Sequence, residues 1–152
     1  MIDKHKIVWG SARHRQKIID LEETVYGQWA YTKETYNKFL KDPHKSILVY
    51  QQLDEILGYL IYDIGVDDYT ILRITTDPLY TQEKIASRLM EKVKALTKTP
   101  RDKIKTLIPE DNLVMHLFLK NQKFKATKVV PKAFYTDTDG YQFEYVSPNP
   151  SI

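Results

Sequence analysis

The stretch Ile71-Leu72-Arg73-Ile74-Thr75-Thr76-Asp77-Pro78-Leu79-Tyr80-Thr81-Gln82-Glu83-Lys84-Ile85-Ala86-Ser87-Arg88-Leu89-Met90 reads as a strand that breaks at Asp77-Pro78 and restarts as a helix. The helix carries Ile85, Leu89, Val93 and Leu96 on one face, the spacing of an amphipathic element. A sharp strand-to-helix turn is a place to hold an anion. The first amides of the helix lack intrahelical partners and sit at the positive end of its dipole, so phosphate binds there without charged side chains. This turn has no glycine between Asp77 and Ser87, although close backbone approach to a diphosphate ordinarily uses one.

Working upstream, His5 to Trp9 reads as a strand and Ala12 to Tyr26 as a helix with Ile18, Ile19, Leu21 and Val25 on one face. Thr32 caps a second helix through Tyr36, Phe39 and Leu40, which Pro43 ends. Ser46 to Gln52 and Glu55 to Ile64 form a hairpin about Leu53-Asp54, and Tyr69 to Thr76 follows as the next strand. Downstream, Lys103 to Ile108 is a short strand, and Asn112 caps a helix to Asn121 with Leu113, Leu117 and Phe118 expected inward. Phe124 to Val130 and Tyr141 to Val146 close the chain as two strands. The order β-α-α-β-β-β-α-β-α-β-β describes an α/β arrangement, a mixed, mostly antiparallel sheet flanked by helices. Residues 1–146 are expected to form one domain and 147–152, with Pro148 and Pro150, a loose tail.

The 152 residues are 42% hydrophobic, enough for one self-sufficient core, and contain no cysteine, which excludes thiolate chemistry and a disulfide framework. No signal-peptide core and no apolar run of membrane-spanning length is present, so the chain reads as soluble and cytoplasmic, without a membrane partner. His5, His14, His44 and His116 lack ligand spacing, so no metal site is expected. The net charge of +3 conceals an asymmetry: residues 84–132 hold thirteen Lys or Arg against four acidic residues, a local charge of +9. Such a block suits an anionic partner or a plain solvated face. Aromatics do not interleave with its lysines as a nucleic-acid stacking platform requires, so nucleic acid is not the expected partner.

The element order, the Asp77-Pro78-Leu79-Tyr80 turn into a helix and the Asn112-led helix ending at Lys123-Phe124 resemble the GNAT superfamily of acetyl-CoA-dependent N-acetyltransferases over about residues 5–146. Gln28-Trp29, Glu110-Asp111-Asn112-Leu113 and Phe134-Tyr135-Thr136-Asp137 followed by Gly140-Tyr141 resemble the ribosomal-protein alanine and N-terminal acetyltransferase branch. The family's pyrophosphate turn, Gln/Arg-x-x-Gly-x-Gly/Ala, falls on Thr81, Gln82, Glu83, Lys84, Ile85 and Ala86, of which only Ala86 fits. Lys84 stands at the first glycine, and Lys123 at a second family glycine, before Phe124.

The resemblance implies acetyl-CoA as co-substrate, held by the turn from Thr81 to Ser87, by backbone groups of Ile74, Thr75 and Thr76 along the pantetheine arm, and by Asn112. Asn112 fits a plain N-cap equally well. It further implies an acceptor amine, a protein or peptide amino terminus, in a slot lined by Trp29, Tyr31 and Tyr135, residues whose alternative is ordinary packing. The family's base and its thiolate-protonating tyrosine fall on Leu107 and Leu119, neither of which can move a proton, so no catalytic residue is assigned. The mechanism implied is direct attack by the amine on the thioester; the alternative is a GNAT-fold protein that binds a ligand or partner without transferring. Glu110 is the nearest acid, but lies three residues from Leu107 beyond Pro109, where alternation points it away.

Overall fold

A computed structural model describes residues 5–134 and 137–148. Seven strands and four helices follow the expected order: β1 (His5–Trp9), α1 (Arg15–Tyr26), α2 (Lys33–Lys41), β2 (Lys45–Gln52), β3 (Glu55–Ile64), β4 (Asp68–Thr76), α3 (Ile85–Leu96), β5 (Lys103–Pro109), α4 (Leu113–Asn121), β6 (Lys125–Val130) and β7 (Gly140–Val146). Hydrogen bonding orders the strands β1-β2-β3-β4-β5-β7-β6 in one mixed sheet. The β1–β2, β2–β3, β5–β7 and β6–β7 pairs are antiparallel, and β4–β5 is parallel. The chain divides into two compact units, residues 1–64 with 73–93, and residues 65–72 with 94–152.

In the first unit the β2–β3 hairpin is the centre of the core. Ile56 through Tyr62 are buried without alternation, as a strand covered on both faces must be. The hairpin turns at Leu53, which takes φ 54°, and a register shift follows Tyr50. Ile18, Ile19 and Leu21 of α1 and Tyr36 of α2 are buried, while Val25, expected on the same face, is 38% exposed. The start of the first expected helix, Ala12–His14, is a 3-10 turn: the Ser11 amide donates to His14 Nδ1, 3.0 Å, tightening it ahead of α1. Thr32 caps α2 by accepting from the Thr35 amide, 3.2 Å, and Asp42 ends it in an extended conformation before Pro43.

In the second unit β4 pairs with β5 from Asp68↔Lys103 to Ile71↔Thr106, and β5 pairs with β7 along its whole length. Ile104, Ile108, Phe124 and Phe143 are buried with Leu119 of α4. The expected inward face of α4 is not the observed one. Leu113 is 72% exposed, Leu117 63% exposed and Phe118 half-buried, and Leu119 alone on this helix is fully buried. Six of its nine residues are apolar, so periodicity does not choose a face. Its end does: the Lys123 amide donates to the Lys120 carbonyl, 3.0 Å, and the Phe124 amide to the Leu119 carbonyl, 2.9 Å. This is the Schellman pattern, with buried Phe124 beyond the helix matching buried Leu119 inside it.

No helix among the described residues is long and apolar enough to cross a membrane.

Candidate active site

The turn after β4 is built by contacts from outside itself. The Asp77 amide donates to the Leu57 carbonyl of β3, 2.8 Å, and the Asp77 carboxylate accepts from the Leu79 amide, 3.0 Å. Pro78 opens a 3-10 segment, Pro78–Glu83, at a position where its missing N–H costs nothing. Thr81 is exposed; Gln82 and Glu83 share this backbone, and their side chains lie outside the described set. Lys84 then takes φ 57° and ψ 32°, the left-handed region that glycine adopts freely and a lysine enters at a cost of about 1–2 kcal/mol.

That conformation is imposed by Ile85. Ile85 is fully buried, and a Cβ placed on Gly58 of β3 would stand 2.7 Å from Ile85 Cγ2 and 2.8 Å from the Thr75 carbonyl oxygen. The bare α-carbon of Gly58 thus lets α3 start hard against the sheet, and Lys84 must turn left-handed to reach it. The first i−4 bond of α3 runs from the Arg88 amide to the Lys84 carbonyl, 3.0 Å, so the amides of Ile85, Ala86 and Ser87 form its positive end. Lys84 is exposed, and Ala86 and Ser87 are half-buried. The glycine motif is absent from these residues, while the left-handed backbone that glycine adopts freely is present at Lys84.

At the end of β4, Thr75 is buried with its hydroxyl 2.7 Å from the Tyr26 hydroxyl, while Ile74 and Thr76 are half-buried. Next to them lies a charged cluster that the sequence did not single out. Glu22 of α1, fully buried, accepts from Arg73 Nη2 at 2.8 Å and Nε at 3.2 Å, from the Tyr31 amide at 2.7 Å and from the Tyr59 hydroxyl. The Arg73 guanidinium lies 3.8 Å from the Tyr26 ring centre and 3.9 Å from that of Tyr31, and its Nη2 also donates to the Trp29 carbonyl, 3.1 Å. Burial pulls the Arg73 pKa down, and the Glu22 carboxylate more than reverses this, holding it above its ordinary value. Burial raises the Tyr26 phenol, and burial with the Glu22 charge raises Tyr59 further, so both stay protonated.

The other expected site residues divide as follows. Trp29, 48% exposed, and Tyr31 lie in the α1–α2 connection, tied down by this cluster. Asn112 is the N-cap of α4, its side-chain oxygen accepting from the Met115 amide, 3.2 Å. Tyr135 lies outside the described residues. Leu107 is 38% exposed on β5, and Leu119 is core. Lys123 takes φ 73°, so both lysines at glycine positions have left-handed backbone.

Two open grooves flank the first unit's polar elements. One, about 500 Å³, runs beside Asp77 and Pro78 and carries Asp20 and Glu55 as well as Lys17, a side of the turn that repels phosphate. The other, about 580 Å³, is bordered by Gly27, Gln28, Ala30 and Tyr31 with Glu23 and Glu34. A family model describing the acetyltransferase (GNAT) family matches residues 15–124. The chain belongs to the GNAT acetyltransferase family. This family uses acetyl-CoA, and its members are generally enzymes.

Solved structures of the same fold include Ard1 from Thermoplasma volcanium, with a TM-score of 0.86 at 16% identity over 96% of this chain and 99% of that one. The ribosomal-protein-S18-alanine N-acetyltransferase from Escherichia coli gives 0.83 at 12% identity over 97% and 95%. Arabidopsis thaliana Naa50, in complex with the bisubstrate analogue CoA-Ac-MVNAL, gives 0.79 at 14% identity over 93% and 98%. A sequence search of curated proteins found no match.

Proposed function

We propose that this GNAT protein is an acetyl-CoA-dependent N-acetyltransferase whose acceptor is a primary amine, the amino terminus of a protein or peptide. The observation that supports this is the left-handed Lys84 ahead of α3, a backbone conformation that glycine takes freely and that lysine enters at a cost. The turn from Thr81 to Ser87 would hold the diphosphate through its amides, and the backbone of Ile74, Thr75 and Thr76 the pantetheine arm. Asn112 is carried over from the resemblance alone. Acetyl-CoA supplies an acetyl group already activated as a thioester.

The chain's own task is then to bind and orient. An amino terminus has a pKa of about 8, so a useful fraction is neutral at pH 7 and attacks without a strong base. This agrees with Leu107 and Leu119 at the family's proton-transfer positions. Alignment of the amine and backbone polarisation of the carbonyl supply the rate. Trp29 and Tyr31, with Tyr135, are assigned to the acceptor slot. The S18-alanine N-acetyltransferase and the Naa50 complex with CoA-Ac-MVNAL support a polypeptide acceptor for those proteins, and the Gln28-Trp29 segment extends that reading to this one.

The rival reading, a GNAT-fold binding module, draws on the apolar Leu107 and Leu119. Incubating the protein with acetyl-CoA and a library of peptides free at their amino termini, with mass spectrometry of the products, separates the two. Acetylated amino termini support the transferase. Tight acetyl-CoA binding with no acetylated product from any peptide overturns it in favour of the binding module.

A further inference from the structure

We infer that Glu22 and Arg73 are positioning residues for the acceptor, a buried clamp that sets the backbone of the α1–α2 connection and through it the presentation of Trp29. The inference rests on the reading of that connection as one wall of the acceptor slot. Its basis is the double use of one ion pair. The Glu22 carboxylate takes the Tyr31 amide and the Arg73 guanidinium gives to the Trp29 carbonyl, so two peptide groups flanking Ala30 are bound to a single salt bridge. The rings of Tyr26 and Tyr31 close over the guanidinium on its two faces.

Stability alone does not account for this arrangement. Burying a carboxylate and a guanidinium costs desolvation that their attraction only about repays, and a well-packed apolar set of the same volume serves a core equally well. What no apolar set provides is a donor and an acceptor aimed at specific peptide groups of a short connection. The connection itself contributes little to the core: Gln28 and Trp29 are exposed, and the Ala30 amide bonds back to the Gly27 carbonyl, 3.1 Å. Glu22 and Arg73 thus hold two of its peptide groups, beside the edge-on contact of the Tyr31 ring with Phe39. The planar fork of arginine is required, because its Nη2 serves Glu22 and Trp29 together while Nε serves the second carboxylate oxygen. Lysine retains the charge and loses that geometry.

The test compares wild type with Arg73→Lys and with Trp29→Ala, the second removing a side chain that is 48% exposed and leaving the Trp29 carbonyl in place. Acceptor KM and kcat are measured with one peptide that has a free amino terminus and that the wild type acetylates, acetyl-CoA Kd is measured alongside, and amide exchange at Tyr31 is followed in parallel. Losing a charge-assisted hydrogen bond to the connection should raise acceptor KM on the order of tenfold in Arg73→Lys. Trp29→Ala should raise it likewise, and acetyl-CoA Kd should hold in both. Tyr31 exchange should quicken in Arg73→Lys and stay slow in Trp29→Ala. Equal losses in acceptor KM and acetyl-CoA Kd, or an unchanged acceptor KM in a folded Arg73→Lys protein, overturn the clamp while leaving the acetyltransferase reading intact. A wild type that binds no acetyl-CoA overturns that reading first, and the slot with it; Tyr31 exchange unaltered by Arg73→Lys then shows that the clamp fails by itself.

Discussion

Lys84 and Lys123 both take the left-handed backbone that glycine enters freely, but they are held there by different forces. Lys123 ends a helix. Its conformation follows from local bonds, the Lys123 amide to Lys120 and the Phe124 amide to Leu119, sealed by the burial of Leu119 and Phe124. Lys84 begins one, and it is held by Ile85 seated over Gly58 and by Asp77 bonded to Leu57, residues far away in sequence. A backbone conformation is thus the unit that persists, and the residue at the position is replaceable wherever neighbours over-determine it. For a site made of amides this separates the motif from the function.

The comparison can be broken first at its anchors. Leu119→Ala should cost about 2–5 kcal/mol in urea unfolding, because it empties the core under the second turn. Leu113→Ala on the same helix should stay within about 0.5 kcal/mol, since Leu113 touches solvent. Equal effects would restore the inward face expected from periodicity. Gly58→Ala should cost about 1–3 kcal/mol by overpacking against Ile85 and the Thr75 carbonyl, and should weaken acetyl-CoA binding although residue 58 lies outside the turn. Wild-type affinity in that variant would mean that Gly58 does not set the turn.

Smaller effects sharpen it. Lys84→Gly and Lys123→Gly should each stabilise the protein by up to about 1 kcal/mol, the cost of about 1–2 kcal/mol for a left-handed lysine less about 0.5–1 kcal/mol for the entropy glycine returns to the unfolded chain. Because they lie in different units, the two gains should add in the double variant. Sub-additive gains in thermal melts would show that the turns are coupled. The smallest effect belongs to the start of α1. Burial, then the charge of Arg13, depresses the His14 pKa below 6.5. The unfolded chain therefore takes up this proton first: the contribution is fully present above about pH 6.5 and is lost as pH falls through the folded value. Denaturant midpoints from pH 7 downward should decline less steeply in His14→Gln than in wild type. Parallel slopes would remove His14 from the account.

Element order was readable because each element carries its own signal: Thr32 and Asn112 as caps, Asp77-Pro78 as a break, and two apolar runs about Leu53-Asp54 as a hairpin. Three things were not readable. The face of α4 was hidden because its apolar residues run around the helix, leaving the choice to a stop made by a lysine in place of the usual glycine. The left-handed Lys84 was hidden because local propensity argues against it and the contacts on either side of it, Ile85 with Gly58 and Asp77 with Leu57, are long-range. The Glu22–Arg73 clamp was hidden because its partners are 51 residues apart, with Tyr59 supplied by a third element. A charged residue inside an otherwise apolar stretch, Arg73 between Leu72 and Ile74, was the one available sign.

If the left-handed turn at Lys84 holds a diphosphate through its backbone without a glycine, calorimetric titration of acetyl-CoA into the wild-type protein will show it. Saturable one-to-one binding is the predicted result. No binding up to millimolar acetyl-CoA by a folded protein would contradict it.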